Sequence, residues 1–479
     1  MLKRLQTRSV ARLVSATAIT VMTATLPAAA FPAGEEWPRW SSPEEAGFSS
    51  QSVAAAESIW QSLPDAPIAA FMLVYKGKVL ASFGDETFPF WCHSMRKSFL
   101  SALYGIHTAN GNIDLDMTLD ELGIDDIVPL TAAEKQARVI HLLKARSGIY
   151  IEAACEAPEM KAARPARGSH PPDTFWYYNN WDFNALGTIL RQETGRDIFK
   201  EFQKRIGRKI GMQDFQPSHC EYYYESHLSM HPCYTFRMSV RDRARFGQLF
   251  LQNGKWGKRQ IVPEDWVAES TRAYSRDQTP GRGYAYMWWT YEPEFFQLFL
   301  QDTRLHRLRG FSASGYGGQA ILIFPDAEMV AVFGVDVPAG GDLDILETAP
   351  ILETILTGRE IIDLELLRAK AKPKRVSAGN TLRLIAKSRN RSEDPSLPTT
   401  VDFYLSPAKG LTDDARLIDS AGLKRLAPGK RKVVRVKAEI PDDLPPGTYH
   451  LVTVVDGDKT NFDLDRRNNL KVGRKVILD

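Results

Sequence analysis

A serine and a lysine three residues apart, in Ser94-Met95-Arg96-Lys97, form the first group able to do chemistry. The segment reads as the start of a helix, where side chains at i and i+3 share a face. A serine hydroxyl is a poor nucleophile until a base takes its proton, and a lysine desolvated among other cations becomes such a base. The helix N-terminus also favours negative charge developing on oxygen. Taken alone, the motif reads equally well as a capped helix start. Ser406-Pro407-Ala408-Lys409 has the same spacing, but its proline and strand-turn setting mark a surface loop.

The second group is Tyr178-Asn179-Asn180, inside the aromatic run Phe175-Trp176-Tyr177-Tyr178-Asn179-Asn180-Trp181. A tyrosine beside a lysine relays protons between nucleophile and leaving group, and an asparagine amide such as that of Asn180 orients the lysine or holds a substrate carbonyl. The structural alternative is an aromatic core cluster with a helix cap at Asn179 or Asn180. The third group is Ala313-Ser314-Gly315-Tyr316-Gly317-Gly318-Gln319, between two strand patterns. Its glycines let backbone approach a ligand closely enough for an N–H to complete an oxyanion hole, or else make a plain hairpin turn.

These groups need elements to hold them. An amphipathic helix is expected over 50–63 and a hairpin over 71–83 around Lys76-Gly77-Lys78, followed by a helix from Ser94 to the stop signal Asn110-Gly111. Helical patterns recur at 132–145, 180–206, 240–253 and 263–271, and strand patterns at 284–291, 296–300, 307–314, 319–324 and 329–335, with a last helix over 343–356. Strands at both ends with helices between predict an α+β fold whose antiparallel sheet is completed by both ends of the segment and is flanked by helices, with an all-helical region.

Serine-x-x-lysine on a helix start, tyrosine-x-asparagine some 80 residues on, and a glycine-rich strand-turn before the final helix together resemble the three motifs of penicillin-binding proteins and class C β-lactamases. The likeness continues through Tyr178 to Gly187, Ser239 to Gly254 with Trp256, and Tyr284 to Trp289, and spans about residues 40–358. Within that superfamily the chain is most similar to the β-lactamase-related serine hydrolases, with 6-aminohexanoate-dimer hydrolase and the family VIII-type esterases. The resemblance implies Ser94 as acylated nucleophile, Lys97 as its proton partner, Tyr178 as general acid/base, and the backbone N–H groups of Ser94 and Tyr316 as the oxyanion hole, with Asn180 and Gly315 lining the substrate. It also implies no cofactor and a small-molecule substrate. One departure bears on that substrate: penicillin-recognising enzymes carry a cation in the third motif, whereas Ala313-Ser314-Gly315 has none. Uncharged esters or linear amides are therefore expected over β-lactams, with Arg309 or His306 as replacement cations to consider.

Residues 371–479 carry 22 Lys and Arg against 14 Asp and Glu, which leaves an acidic remainder and makes the chain electrically two-sided. The basic run 368–376 reads as a linker between a hydrolase domain over 31–367 and a small β-sandwich over 377–479. Thr400 to Ser406, Leu426 to Gly429, Pro445 to Tyr449 and Arg466 to Asn469 resemble the Ig-like CARDB module, which implies an extracellular spacer or adhesion role toward an envelope or extracellular polymer. No nucleic-acid motif accompanies this charge, and the histidines include no zinc-binding His-Glu-x-x-His.

Residues 1–30 hold Lys3, Arg4, Arg8 and Arg12 without an acid, then an apolar run ending at Ala28-Ala29-Ala30. That pattern predicts a cleaved signal peptide and a periplasmic or secreted protein with no membrane span after cleavage; an uncleaved anchor is the alternative, against which Ser15, Thr17, Thr20 and Thr23 leave the run weakly apolar. In such a compartment Cys92, Cys155, Cys220 and Cys233 have three possible disulfide pairings, with buried free thiols as the other state.

Overall fold

The computed structural model describes residues 36–479, and these divide into two units. One holds the described residues up to Ile361 together with Phe462–Asp465, and the other Ile362–Asn461 with Arg466–Asp479. The expected signal segment, residues 1–30, lies outside the described residues.

In the larger unit the main helices are α1 (Ser50–Ser62), α2 (Arg96–Ala109), α3 (Asn180–Thr194), α4 (Val240–Leu251) and α5 (Ile345–Leu356). The strands used below are β1 (Ala69–Tyr75), β2 (Lys78–Gly84), β3 (Cys233–Thr235), β4 (Ser275–Arg276), β5 (Arg282–Tyr284), β6 (Trp289–Tyr291), β7 (Gly310–Gly315), β8 (Gln319–Phe324) and β9 (Met329–Val335). All but β3 form one antiparallel eight-stranded sheet in the order β2-β1-β9-β8-β7-β6-β5-β4. The N-terminal hairpin thus forms one edge of the sheet, where it pairs with the last strand, Ala69 opposite Val335 and Tyr75 opposite Met329. This is the β-lactamase-like α+β fold expected.

Every residue of β1 and β9 is buried because both faces of the sheet are covered. Side chains alternate across a strand, so Ala70, Met72 and Val74 join the core built with α2, α3 and α4. Phe71, Leu73 and Tyr75 join the other core, with Trp60 of α1 and Ile351 and Ile355 of α5. That second core also takes in Phe462 and Leu464, which return from the far end of the sequence.

Several local expectations change. The 180–206 pattern breaks where Gly195 caps α3 in the left-handed region and a second short helix starts at Ile198. Only Val139–Leu143 is α-helical in the 132–145 pattern. The run 284–291 is two short strands joined by a tight turn with Met287 at φ 62°, and 296–300, read as strand, is instead the end of a helical turn over Pro293–Phe296 and the turn that follows it.

The smaller unit has two sheets built from β10 (Leu364–Lys372), β11 (Arg375–Val376), β12 (Thr381–Asn390), β13 (Thr399–Ser406), β14 (Arg416–Leu423), β15 (Arg431–Glu439), β16 (Gly447–Val455) and β17 (Leu470–Leu478). The sheets run β10-β12-β15 and β11-β17-β16-β13-β14, and between them Leu366, Leu384, Phe403 and Leu451 are buried. Residues 368–372, read as linker, are instead the second half of β10, paired with β12 from Arg368 opposite Lys387 to Lys372 opposite Arg383. The basic side chains there alternate with Ala369 and Ala371, and that period of two is a strand pattern whatever its charge.

Candidate active site

The turn carrying Ser94 is fixed from three directions. Phe90–Trp91 pairs with Arg237–Met238, and Cys92 N–H donates to the Phe236 carbonyl. His93 then bends the chain through φ 46°, a left-handed conformation uncommon for a residue with a side chain. Arg243 of α4, wholly buried, donates to the carbonyls of Phe90 (3.0 Å), Trp91 (3.1 Å) and Phe333 (3.2 Å) and to Gln319 Oε1 (2.6 Å). It thereby ties the turn to β8 and β9. Sequence reasoning missed Arg243, although a cation between Val240 and Gly247 on an otherwise apolar helical stripe was the available signal.

Ser94 does not cap the helix. It lies in a 3-10 turn, His93–Met95, and α2 begins behind it with no side-chain cap. Lys97, 2% exposed, reaches back along α2 so that its Nζ donates to Ser94 Oγ at 2.9 Å and to Tyr178 Oη at 2.5 Å. Tyr178 is also in hydrogen-bond contact with Ser94. The lysine lies over the rings of Tyr178 (4.2 Å) and Phe183 (4.6 Å). Burial first, and the charge of Arg96 second, hold the Lys97 ammonium well below its ordinary range, while burial pushes Tyr178 up to about 12. Burial thus disfavours the charged forms of both the lysine and the tyrosine that meet at Ser94. Trp289 stacks on Tyr178 at 5.4 Å and Tyr284 meets it edge-on at 5.7 Å, which walls this side.

The two asparagines after Tyr178 separate in role. Asn179 caps α3 through its Oδ1, which accepts from Trp181 N–H, and its Nδ2 donates to the Ile149 carbonyl at 2.6 Å. Asn180 does not donate to Lys97: its Nδ2 donates to the Cys155 carbonyl at 2.5 Å, while its Oδ1 is buried without a partner. The carboxyl of Asp182 accepts from Ser147 Oγ (2.5 Å) and Asn179 Nδ2 (3.1 Å), and burial raises it well above the carboxylate range.

The third motif arrives along β7. A methyl built on Gly315 would meet the Cys92 carbonyl oxygen at 2.5 Å and His93 Cβ at 3.2 Å, so only a bare backbone lets this strand end lie against the Ser94 turn. Tyr316 follows, its exposed ring edge-on to His93 at 5.8 Å. The position of the absent cation, Ala313, is fully buried. Beside it runs a ladder of hydroxyls, Tyr291 to Ser312 (2.9 Å) to Ser314 (2.7 Å). Neither replacement cation serves. Arg309 stands six residues before Gly315, about 20 Å away along a strand, and is ion-paired with Glu292. His306 Nε2 donates to the Leu300 carbonyl at 2.9 Å.

All four cysteines carry free thiols. Cys155 and Cys233 touch each other, which is neither of the pairs that sequence proximity suggests. No group of histidine, cysteine and acidic side chains suited to a metal occurs among the described residues.

With this geometry in place, the family model for Beta-lactamase matches residues 56–342, more than half of the chain. The chain belongs to the β-lactamase family of serine hydrolases. Among solved structures it is similar to a putative 6-aminohexanoate-dimer hydrolase from Bacillus anthracis, at 20% identity over 71% of this chain and 90% of that one, with a TM-score of 0.46. It is also similar to a putative beta-lactamase from Bacteroides dorei (17% identity, 65% and 99% coverage, TM-score 0.48). A D-stereospecific amidohydrolase from Streptomyces sp. matches at 16% identity, 64% and 98% coverage and a TM-score of 0.46. No curated protein matches the chain. Among the described residues no helix is long and apolar enough to cross a membrane.

Proposed function

We propose that the protein is an exported serine hydrolase that forms an acyl-enzyme on Ser94 and acts on esters or linear amides. The observation that carries this reading is the buried Lys97 Nζ in contact with both Ser94 Oγ and the Tyr178 hydroxyl. A lysine held as the amine accepts the Ser94 proton as Oγ attacks the carbonyl carbon, and negative charge moves to the carbonyl oxygen. Backbone N–H groups at Ser94 and Tyr316 stabilise that oxygen. Tyr178 passes the proton to the leaving alcohol or amine, and water then cleaves the acyl-enzyme by the reverse relay. Asn180 and Gly315 line the substrate, Asn180 through its unpartnered Oδ1, an acceptor suited to a substrate N–H.

The absence of a cation at the buried Ala313 favours uncharged acyl donors over carboxylate-bearing β-lactams. The charged N-terminal segment with its Ala28-Ala29-Ala30 end supports export to the periplasm or medium. The basic C-terminal unit, on its CARDB-like motifs, serves as a spacer or polymer-binding module. Intact-mass measurement after a fluorophosphonate or a p-nitrophenyl ester tests the reading: a single adduct on Ser94 is expected. No adduct would leave a binding or adhesion protein on the same fold.

A further inference from the structure

Arg96 precedes Lys97 and is as deeply placed, at 3% exposed. Its Nη2 donates to Asn184 Oδ1 of α3 at 2.8 Å, and its guanidinium lies 4.2 Å over the ring of Tyr234 in β3. Nη1 is buried with no partner, and no carboxylate pairs with Arg96 among the described residues. A buried guanidinium without a counter-ion is costly, and an apolar side chain would pack on Tyr234 without that cost. A guanidinium does not deprotonate in a protein, so when two cations are buried side by side it is the lysine that gives up its proton.

We propose that Arg96 is a positioning residue that acts through Lys97, its uncompensated charge keeping the lysine as the free amine that Ser94 needs. The inference rests on the reading of Lys97 as the base. The groups facing this pair from each packed element are few. Tyr178 lies on the approach to α3, Asn184 on α3, Cys233 and Tyr234 at β3, and Cys155 on the loop held by Asn180, with Glu225 accepting from Cys155 N–H behind it. Tyr284 adds a buried phenol. Of these, Cys233 is the competitor: its contact with Cys155, and then the charges of Arg96 and Lys97, pull its thiol down, and a thiolate there would offset Arg96.

The test compares kcat/KM against pH on p-nitrophenyl butyrate for the wild type, Arg96→Met, Asn184→Asp and Cys233→Ser. In Arg96→Met the ascending limb is expected to move up by a pH unit or more, with about tenfold less activity per unit on that limb. Asn184→Asp gives Arg96 a carboxylate at hydrogen-bond distance and moves the limb in the same direction as Arg96→Met, which covers the case that Arg96→Met fails to fold. Cys233→Ser leaves the limb in place or lowers it, so that the limb belongs to the lysine. An unmoved limb in the folded variants among Arg96→Met and Asn184→Asp overturns the proposal. Fluorophosphonate labelling of the wild type is a separate arm: absence of a Ser94 adduct overturns the hydrolase reading itself, whereas an adduct with an unmoved limb overturns only the role of Arg96.

Discussion

Gly315 faces the carbonyl oxygen of Cys92 so closely that a side-chain carbon on it would lie 2.5 Å from that oxygen. Strand β7 and the turn before Ser94 therefore touch backbone to backbone, one residue before the Tyr316 amide proposed for the oxyanion hole. Gly315→Ala must push the strand end away. Since removing one oxyanion donor costs about 10²–10³ in kcat, a loss of that order is expected, with a small change in melting temperature. Activity within about threefold of wild type would show that the close approach is dispensable.

Ser94→Ala removes the covalent step, and Lys97→Ala is expected to be nearly as severe because the two side chains act as a unit. The double variant should be no worse than Ser94→Ala alone. Tyr178→Phe keeps the stacking on Trp289 and loses the relay, for an expected fall of about 10²–10⁴ in kcat. Activity is expected to decline as pH falls and Lys97 takes up its proton, since only the amine accepts from Ser94. No descending limb from Tyr178 is expected in a normal assay range, because burial holds it neutral up to about 12. Rate profiles for the acylation step check both limbs.

The Asp182 carboxyl is raised by burial, so the folded chain disfavours its ionised form relative to the unfolded chain. Folding then takes up a proton, and this group lowers stability progressively as pH rises above about 3.9, its unfolded value. Asp182→Asn retains the acceptor for Ser147 and Asn179 without that penalty. Thermal melts should place Asp182→Asn above wild type at pH 7, with the gap narrowing towards pH 4; a gap independent of pH would mean that the carboxyl is charged in the fold.

Short uncharged esters should be cleaved with higher kcat/KM than benzylpenicillin or nitrocefin. A charge-assisted contact to a carboxylate is worth about 1.5–3 kcal/mol, so its absence at Ala313 predicts a roughly ten- to hundredfold disadvantage for carboxylated donors. Arg309→Ala should leave the ratio unchanged, given its position at the far end of β7. Equal or faster turnover of penicillins would place a cation in the site that the geometry does not supply.

Phe462 is 2% exposed within the hydrolase unit, with its ring 5.6 Å from Phe48 and 6.0 Å from Tyr75 and the Arg359 guanidinium 4.4 Å over it. Phe462→Ala should destabilise that unit by about 3–5 kcal/mol in denaturant unfolding. A chain ending at Leu367 should show a comparable loss while keeping esterase activity at low temperature, since Phe462 lies in the second core and the Ser94 turn in the first. Undiminished stability of either variant would make the returning segment an ornament on the surface.

The local chemistry was written in the sequence. The Ser94–Lys97 spacing is a property of one helix turn, and a helix turn delivers it wherever it folds. The β-branched and aromatic runs at 71–83, 319–324 and 329–335 likewise read as strands, because such composition needs no partner to be read. What the sequence left open were matters of distance between segments far apart in the chain. Only packing decided that Tyr178 would meet Lys97, that Asn179 would be spent on a helix cap and Asn180 on a carbonyl, and that Cys155 would find Cys233. Only the covering of both sheet faces turned Arg96 and Arg243 from charges in a sequence into buried cations with opposite fates. Arg243 is stabilised by four acceptors, whereas Arg96 has one hydrogen bond and a ring. A sequence states which groups are present; whether a charge is compensated depends on what is brought within about 4 Å of it, and that is fixed by tertiary structure alone.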